Sequence, residues 1–246
     1  MPTKDPKKFY NEIMPEKFGD DYEHSRWFKN PIQMAGYGLT RAAIRRHVLQ
    51  DDSLHPEHIL ELGPGAGTWT KLLVERFPHA QLTLLDISKE MLARATKALP
   101  HDAQIRTIES DILAWAPDQQ YDFFFSSRVL EYIDDKDAFA KKIFELMKPG
   151  SRGFLITKMP HYARERFLGR KSSEFHLGQI APAALRDTLK RAGFQDVDCY
   201  PVTVSVPLFH SPHLNRWLGR LLGPWKLGIV GMFFAESYCV VFRKSK

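Results

Sequence analysis

Glu61, a cluster of glycines and two later aspartates are the residues of this chain whose types and spacing bear most directly on chemistry. Residues 58–70 read HILELGPGAGTWT, an apolar run closing on Glu61, then Gly63, Pro64, Gly65 and Gly67, then a helix start. Such a turn lets a ligand approach the backbone closely and meets it with helix N-terminal amides. Asp86 ends the next apolar run, 19 residues after Gly67, where a carboxylate accepts hydrogen bonds from both ribose hydroxyls of a nucleoside. Asp111 follows a third run, in a Ser-Asp pair that also serves as an ordinary helix cap. The spacing chooses among nucleosides. A dinucleotide turn asks for Gly-x-Gly-x-x-Gly or Ala, whereas here the third glycine comes one residue early and position 68 is Thr. Glu61 also puts a carboxylate where a pyrophosphate must sit, so a cationic ligand suits the turn better.

These residues need a frame that brings strand ends together. From about residue 58 short β-branched or aromatic runs alternate with helical patterns, which predicts an α/β domain with a mainly parallel sheet. Strands are expected at His58–Leu62, Gln81–Asp86, Ile105–Glu109, Tyr121–Phe125, Gly153–Met159, Val197–Val204 and Glu236–Arg243. Helices are expected at Thr68–Phe77, Lys89–Leu99, Asp137–Met147 and Pro182–Ala192, the last with Gly193 as its cap. Two pieces stand outside this rhythm. Residues 1–50 carry Tyr22, Trp27, Phe28 and Tyr37 and a helical run at 40–49, either a lid over the site or a helix packed on the core. Residues 205–235 are too long for a hairpin and form an insertion with structure of its own.

The ordered motifs resemble those of the class I S-adenosylmethionine-dependent methyltransferases over most of residues 58–244. ELGPGAGT (61–68) is similar to that family's first motif, LLDIS (84–88) to its second, ESDILAW (109–115) to its third and YDFFFSSRVLEYIDD (121–135) to its fourth. ELMKPGSRGFLITK (145–158) resembles the helix, turn and fifth strand that follow. The resemblance implies a Rossmann-like sheet of seven strands, one antiparallel, with residues 51–246 as the methyltransferase domain behind an N-terminal helical lid. It implies S-adenosyl-L-methionine as cofactor and S-adenosyl-L-homocysteine as product. Glu61 would then lie near the cofactor's amino group, with Gly63, Pro64, Gly65 and Gly67 against its methionine and ribose part. Asp86 would take the ribose hydroxyls, Ile87 and Ile112 would border adenine, and Asp111 would reach its amine. Ser127 and Arg128 end the strand that faces the transferred methyl. HLGQIAPAALRDTLKRAGF (176–194) resembles a segment of the branch acting on small molecules, quinone-pathway enzymes among them. In a metal-assisted member of that branch the fourth motif carries acids and a histidine; here those positions are Arg128, Glu131 and Tyr132, so no metal is expected.

A sulfonium methyl is already electrophilic, so the protein's task is to hold a nucleophile in line, roughly 3 Å away, and exclude water. If the acceptor is a hydroxyl or ammonium, a base must also take a proton. His176, Tyr132 and Glu131 are the first candidates for catalysis, with His161 and His24 beside them.

Composition bounds the acceptor. The 246 residues are 43% hydrophobic with two isolated cysteines, Cys199 and Cys239, an intracellular pattern with no disulfide framework. No apolar run reaches the roughly 18 residues of a membrane span, and MPTKDPKK carries no export signal, so a cytoplasmic protein is expected. Net charge is +6, unevenly placed. Residues 51–140 hold 8 Lys+Arg against 16 Asp+Glu, whereas 141–175 hold 9 against 3 and 201–246 hold 6 against 1. An acidic middle suits a sulfonium; basic flanks suit an acceptor that is anionic, or is presented on an anionic surface. The expected function is methyl transfer to a small, partly apolar, anionic or lipid-linked acceptor. The alternative, an RNA or other nucleic-acid methyltransferase, fits the charge. FFFSSR (123–128) lacks the Asn/Asp-Pro-Pro-aromatic tetrad of amino-group base methylases, and nucleic acid is not the expected partner. In 205–235, Leu214, Trp217, Leu218, Leu221, Leu222 and Trp225 form one apolar stripe, read either as the wall of the acceptor pocket or as an interfacial helix giving peripheral membrane contact through 211–235. The oligomeric state is not legible.

Overall fold

The computed structural model describes residues 5–160, 178–206 and 211–246. Seven strands form one sheet: β1 His58–Leu62, β2 Gln81–Asp86, β3 Ile105–Glu109, β4 Tyr121–Ser127, β5 Met147–Lys158, β6 Phe194–Pro201 and β7 Ser237–Lys244. Their order is β3-β2-β1-β4-β5-β7-β6, with β7 antiparallel to both neighbours and every other pairing parallel. The chain runs outward from β1 to β3, then returns to the other side of β1 with β4. That reversal opens a crevice beyond the C-terminal ends of β1 and β4, the place where open α/β sheets bind ligands.

The central strands β1, β2 and β4 are buried on both faces, which is why they read as apolar runs, whereas the edge strand β3 is partly exposed. Leu60, Leu62 and Phe124 belong to one core layer, with Phe139, Ile143, Leu185 and Leu189 of the helices Lys136–Leu146 and Pro182–Arg191. Ile59, Phe123 and Phe125 belong to the opposite layer, with Leu72, Leu73 and Leu92. The sidedness follows from the period of two along each strand. Helix starts are capped as their sequences ask: Asp135 accepts from Ala138 N at 2.8 Å, and Ser88 accepts from Met91 N at 3.1 Å.

β1 to β3 have the bounds expected of them, and the other strands differ for local reasons. β5 starts at Met147 because the Lys148-Pro149-Gly150 stretch joins the strand through a register shift, Tyr121 of β4 pairing with Met147 and Phe123 with Arg152. β6 runs from Phe194 to Pro201, earlier than expected, because a bulge at Asp196, whose φ is +50°, lets the chain join β7 before Val197. The helix expected at 40–49 begins instead at Pro31, where Asn30 Oδ1 accepts from Ile32 N and Gln33 N. In front of it, residues 5–27 fold as short helical turns laid over the crevice.

Candidate active site

The glycine turn is shaped by its neighbours as much as by any ligand. Gly63 has φ +69°, and a Cβ there would stand 2.1 Å from Val129 Cγ2; a Cβ on Gly67, at φ +82°, would meet the Ala95 backbone at 3.2 Å. No other residue type takes that path without moving the fourth-strand loop or the helix Lys89–Ala98. Gly63 N donates to Leu85 O at 2.8 Å and Ser126 Oγ to Leu62 O at 3.0 Å, which ties the turn to both flanking strands.

Above this turn lies a cavity of about 400 Å³. Gly63 and Gly65 form its floor, Asp86 and Ile87 the end of β2, Asp111 and Ile112 the end of β3, and Ser127, Arg128 and Tyr132 the end of β4. Nine of the expected site residues thus meet around one space. Asp86 holds its loop by accepting from Ser88 N at 2.9 Å, and burial raises its carboxyl to about 6 against the pull of the Ser88 and Ile87 amides. Asp111 does serve as a cap, accepting from Leu113 N at 2.8 Å, while lining the cavity as well. Ser127 Oγ is buried with no hydrogen-bond partner, an atom that a polar ligand in the cavity would satisfy.

Glu61, Pro64 and Gly67 stand behind this lining. Glu61 is 2% exposed, and its Oε2 has no partner. Burial lifts its carboxyl from an ordinary 4.5 to about 8, with the Thr70 hydroxyl opposing and the Asp86 charge adding.

The roof comes from the N-terminal region, and of its expected aromatic cluster only Tyr22 takes part. Asp5, Pro6, Lys7, Tyr10, Tyr22 and Arg26 line the cavity. They are held down by polar contacts with the sheet ends: Lys7 Nζ pairs with Glu109 at 2.9 Å, and Ser88 Oγ donates to Asn11 Oδ1 at 2.7 Å. Arg94 Nη1 donates to Gly19 O at 2.7 Å. The expected aromatic cluster divides. Trp27 and Tyr37 pack against Trp69, and Phe28 against Tyr37, whereas Tyr22 lines the cavity.

A second chamber of about 450 Å³ shares Tyr10, Tyr22, Arg26, Arg128 and Tyr132 with the first and adds Phe9, Phe18, Trp27, Glu131 and Lys158. Three cationic side chains and one carboxylate face it. Arg128 has φ +65°, an uncommon backbone for a long side chain, fixed by Arg128 N donating to Ile156 O at 2.9 Å; its Nε is buried without a partner. Glu131 is 4% exposed and accepts from Lys158 N at 2.8 Å through Oε1, which leaves Oε2 buried and unsatisfied. Burial and the nearby Arg128 lower the Lys158 ammonium to about 8, against the opposing effect of Glu131. The phenols stay neutral: burial raises Tyr22 to about 12 and pushes Tyr10 and Tyr132 upward too.

The expected bases fare differently. Tyr132 and Glu131 are at the site. His24 is exposed and lines neither chamber, and His176 and His161 lie outside the described residues. Lys158 and Arg26 were not foreseen; both read in sequence as solvated charges. The stripe expected to wall the acceptor pocket does not do so: among the described residues, none of 205–235 lines either chamber. Its helix Pro212–Leu222 sits instead on Leu39, where a Cβ on Gly219 would come within 2.4 Å of Leu39 Cδ2. Leu218 is buried there with Leu39 and Val204, leaving Trp217 and Leu221 exposed.

Comparison with known proteins fits this geometry. A family model described as a methyltransferase domain matches residues 59–150. The trans-aconitate 2-methyltransferase of Klebsiella pneumoniae (strain 342) is 31% identical over 187 residues, covering 72% of this chain and 71% of that protein. That of Acidovorax sp. (strain JS42) is 32% identical over 168 residues, and the match spans 61% of its length. Among solved structures, magnesium protoporphyrin IX methyltransferase from Synechocystis PCC 6803 with bound S-adenosylhomocysteine superposes with TM-score 0.64 at 14% identity, covering 97% of each chain. N-methyltransferase NodS from Bradyrhizobium japonicum WM9, in complex with S-adenosylhomocysteine, gives 0.61 at 16% identity over 96% of this chain and 99% of that one.

Proposed function

This chain belongs to the class I S-adenosylmethionine-dependent methyltransferases, and we propose that it esterifies a small carboxylic acid with the cofactor's methyl group. One observation carries the choice of acceptor: Arg26, Arg128 and Lys158 converge on a chamber that shares its wall with the cofactor cavity, against the single carboxylate of Glu131. Three cations around an enclosed space favour an anion with more than one charged group. The relatives named for trans-aconitate, a multiply charged acid, support the same reading.

The cavity suits the cofactor. Asp86 would hold the ribose, Ile87 and Ile112 the adenine with Asp111 at its amine, and Gly63 and Gly65 the methionine part, with Ser127 Oγ gaining the partner it lacks. Bound there, S-adenosylmethionine would supply an electrophilic methyl group; a carboxylate oxygen displacing S-adenosylhomocysteine from it would give a methyl ester, with no proton to remove. The protein's share is therefore position and dryness. Arg128 and Lys158 would fix the acid's orientation, and Tyr10, Tyr22 and Arg26 would close both spaces from above. Neutral, buried Tyr132 then lines the site without acting as a base.

The test is transfer of labelled methyl to a panel of mono-, di- and tricarboxylates. Label should appear in an alkali-labile ester, most strongly with the polycarboxylates. Alkali-stable label, or none on any acid from protein that binds S-adenosylhomocysteine, would overturn the acceptor assignment.

A further inference from the structure

We propose that the face made by the helices Pro212–Leu222 and Ile229–Phe234 docks on an anionic lipid bilayer, with the enzyme lying on the membrane surface. The inner side of this pair is spent on the protein itself. Leu218 and Leu222 pack with Leu39 and Val204, and Gly219 lets the helix Pro212–Leu222 approach Leu39 of the helix Pro31–Ile44 closely enough for that contact. The outer side is left apolar and open: Trp217 is 61% exposed, Leu221 52%, Trp225 69%, Ile229 84%, Val230 62% and Phe233 59%. Single exposed apolar residues are ordinary on any protein, but six of this size on two consecutive helices and the turn between them ask for an occupant.

Charge says which occupant. Residues 201–235 contain no Asp or Glu, and carry Arg216 and Arg220 beside Lys226, whose ammonium pairs with Asp198 at 2.8 Å. Arg46 adds a guanidinium at the end of the first helix, its Nη1 3.1 Å from where a Gly223 Cβ would stand. A second copy of the chain is a poor fit, because a two-fold contact through this face would set Arg216 and Arg220 near their own counterparts with no acid in the segment to pair with them. An anionic headgroup layer pairs with those arginines, while Trp217, Trp225 and the aliphatic side chains enter the headgroup boundary, where tryptophan partitions well. Among the described residues no helix is long and apolar enough to cross a membrane, so the contact lies in the interface plane. This proposal does not depend on the acceptor being a carboxylate.

Co-sedimentation of the full chain with vesicles tests it, beside light scattering of the protein alone. Wild-type protein should pellet with phosphatidylcholine vesicles doped with phosphatidylglycerol, not with pure phosphatidylcholine, and less as salt is raised. Two variants share the burden: one carrying Trp217→Ser, Trp225→Ser and Phe233→Ser, the other Arg216→Glu and Arg220→Glu. Each should lower vesicle affinity by about ten-fold or more. No pelleting with either vesicle, pelleting indifferent to both variants, or a wild-type dimer that the variants split without any lipid binding would overturn the proposal.

Discussion

Tyr10 Oη lies 3.2 Å from Tyr132 Oη, a hydrogen bond that joins the N-terminal turns to the mouth of β4 across 122 positions of sequence. Each ring also meets the other edge to face, with centroids 6.3 Å apart. Both residues face both chambers, so this pair latches the roof over the wall that the two spaces share.

Replacing Tyr132 by Phe therefore separates a latch from a base. The lost hydrogen bond costs about 1 kcal/mol, and cofactor should leave several-fold faster while kcat stays within a few-fold of wild type. Stopped-flow release of S-adenosylhomocysteine and steady-state turnover are the readouts. A collapse of kcat with cofactor release unchanged would mean that the phenol moves a proton.

Asp86→Ala should weaken S-adenosylhomocysteine binding by about 1.5–3 kcal/mol, the worth of hydrogen bonds to a charged group. Calorimetry checks this directly. Because burial raises the Asp86 carboxyl to about 6, wild-type affinity should also fall as pH drops through that value, and the variant should lose that dependence. Equal affinities would remove Asp86 from the cofactor site.

Lys158 lines the second chamber and not the first cavity, which makes it the cleanest handle on the proposed anion. Lys158→Met should raise acceptor KM by roughly ten- to a hundred-fold with little change in kcat or cofactor affinity, since it removes a charge-assisted contact present before and during transfer. With its ammonium lowered to about 8, wild-type kcat/KM for the acceptor should decline as pH rises through that value, because only the charged form attracts the acid. The Met variant should be flat there. A KM that survives the substitution would place the anion elsewhere.

Glu61 gives a stability prediction with a definite sign. Its folded carboxyl holds a proton up to about 8, whereas the unfolded chain releases it near 4.5. The stability this lends is complete below 4.5 and is lost as pH rises to about 8. Glu61→Gln, which cannot ionise, should melt progressively higher than wild type across that window when cofactor is absent. Parallel melting curves over the whole range would show that Glu61 is ionised in the folded protein.

What the sequence made legible was the part built from short-range pattern. β1 and β2 are largely apolar runs and β3 is a short run with β-branched Ile105, Thr107 and Ile108; they are ended by glycine, Ile87-Ser88 and Ser110-Asp111, and their bounds could be read directly. The N-terminal roof had no such pattern. Its turns are only a few residues long, with Pro6 and Pro15 interrupting any period, and they hold through long-range contacts such as Lys7 with Glu109. The helix start at Asn30-Pro31 is hard to see in sequence, because the apolar period becomes clear only further along. Lys158 illustrates a second kind of blindness. A lysine at a strand end reads as solvated, and only the β4 loop folding Glu131 onto Lys158 N shows it enclosed.

The three cations of the second chamber have a consequence for the end of the cycle rather than its start. Methyl transfer from a sulfonium to a carboxylate removes one positive and one negative charge together. With the acid held in that chamber, Asp86 on the cofactor side and Lys158 with the shared Arg26 and Arg128 would therefore hold the reactants more firmly than products that have each lost one charge. Such a site gains speed in capture and in emptying itself. It gains little in the bond-making step, where the charges it favours are already fading.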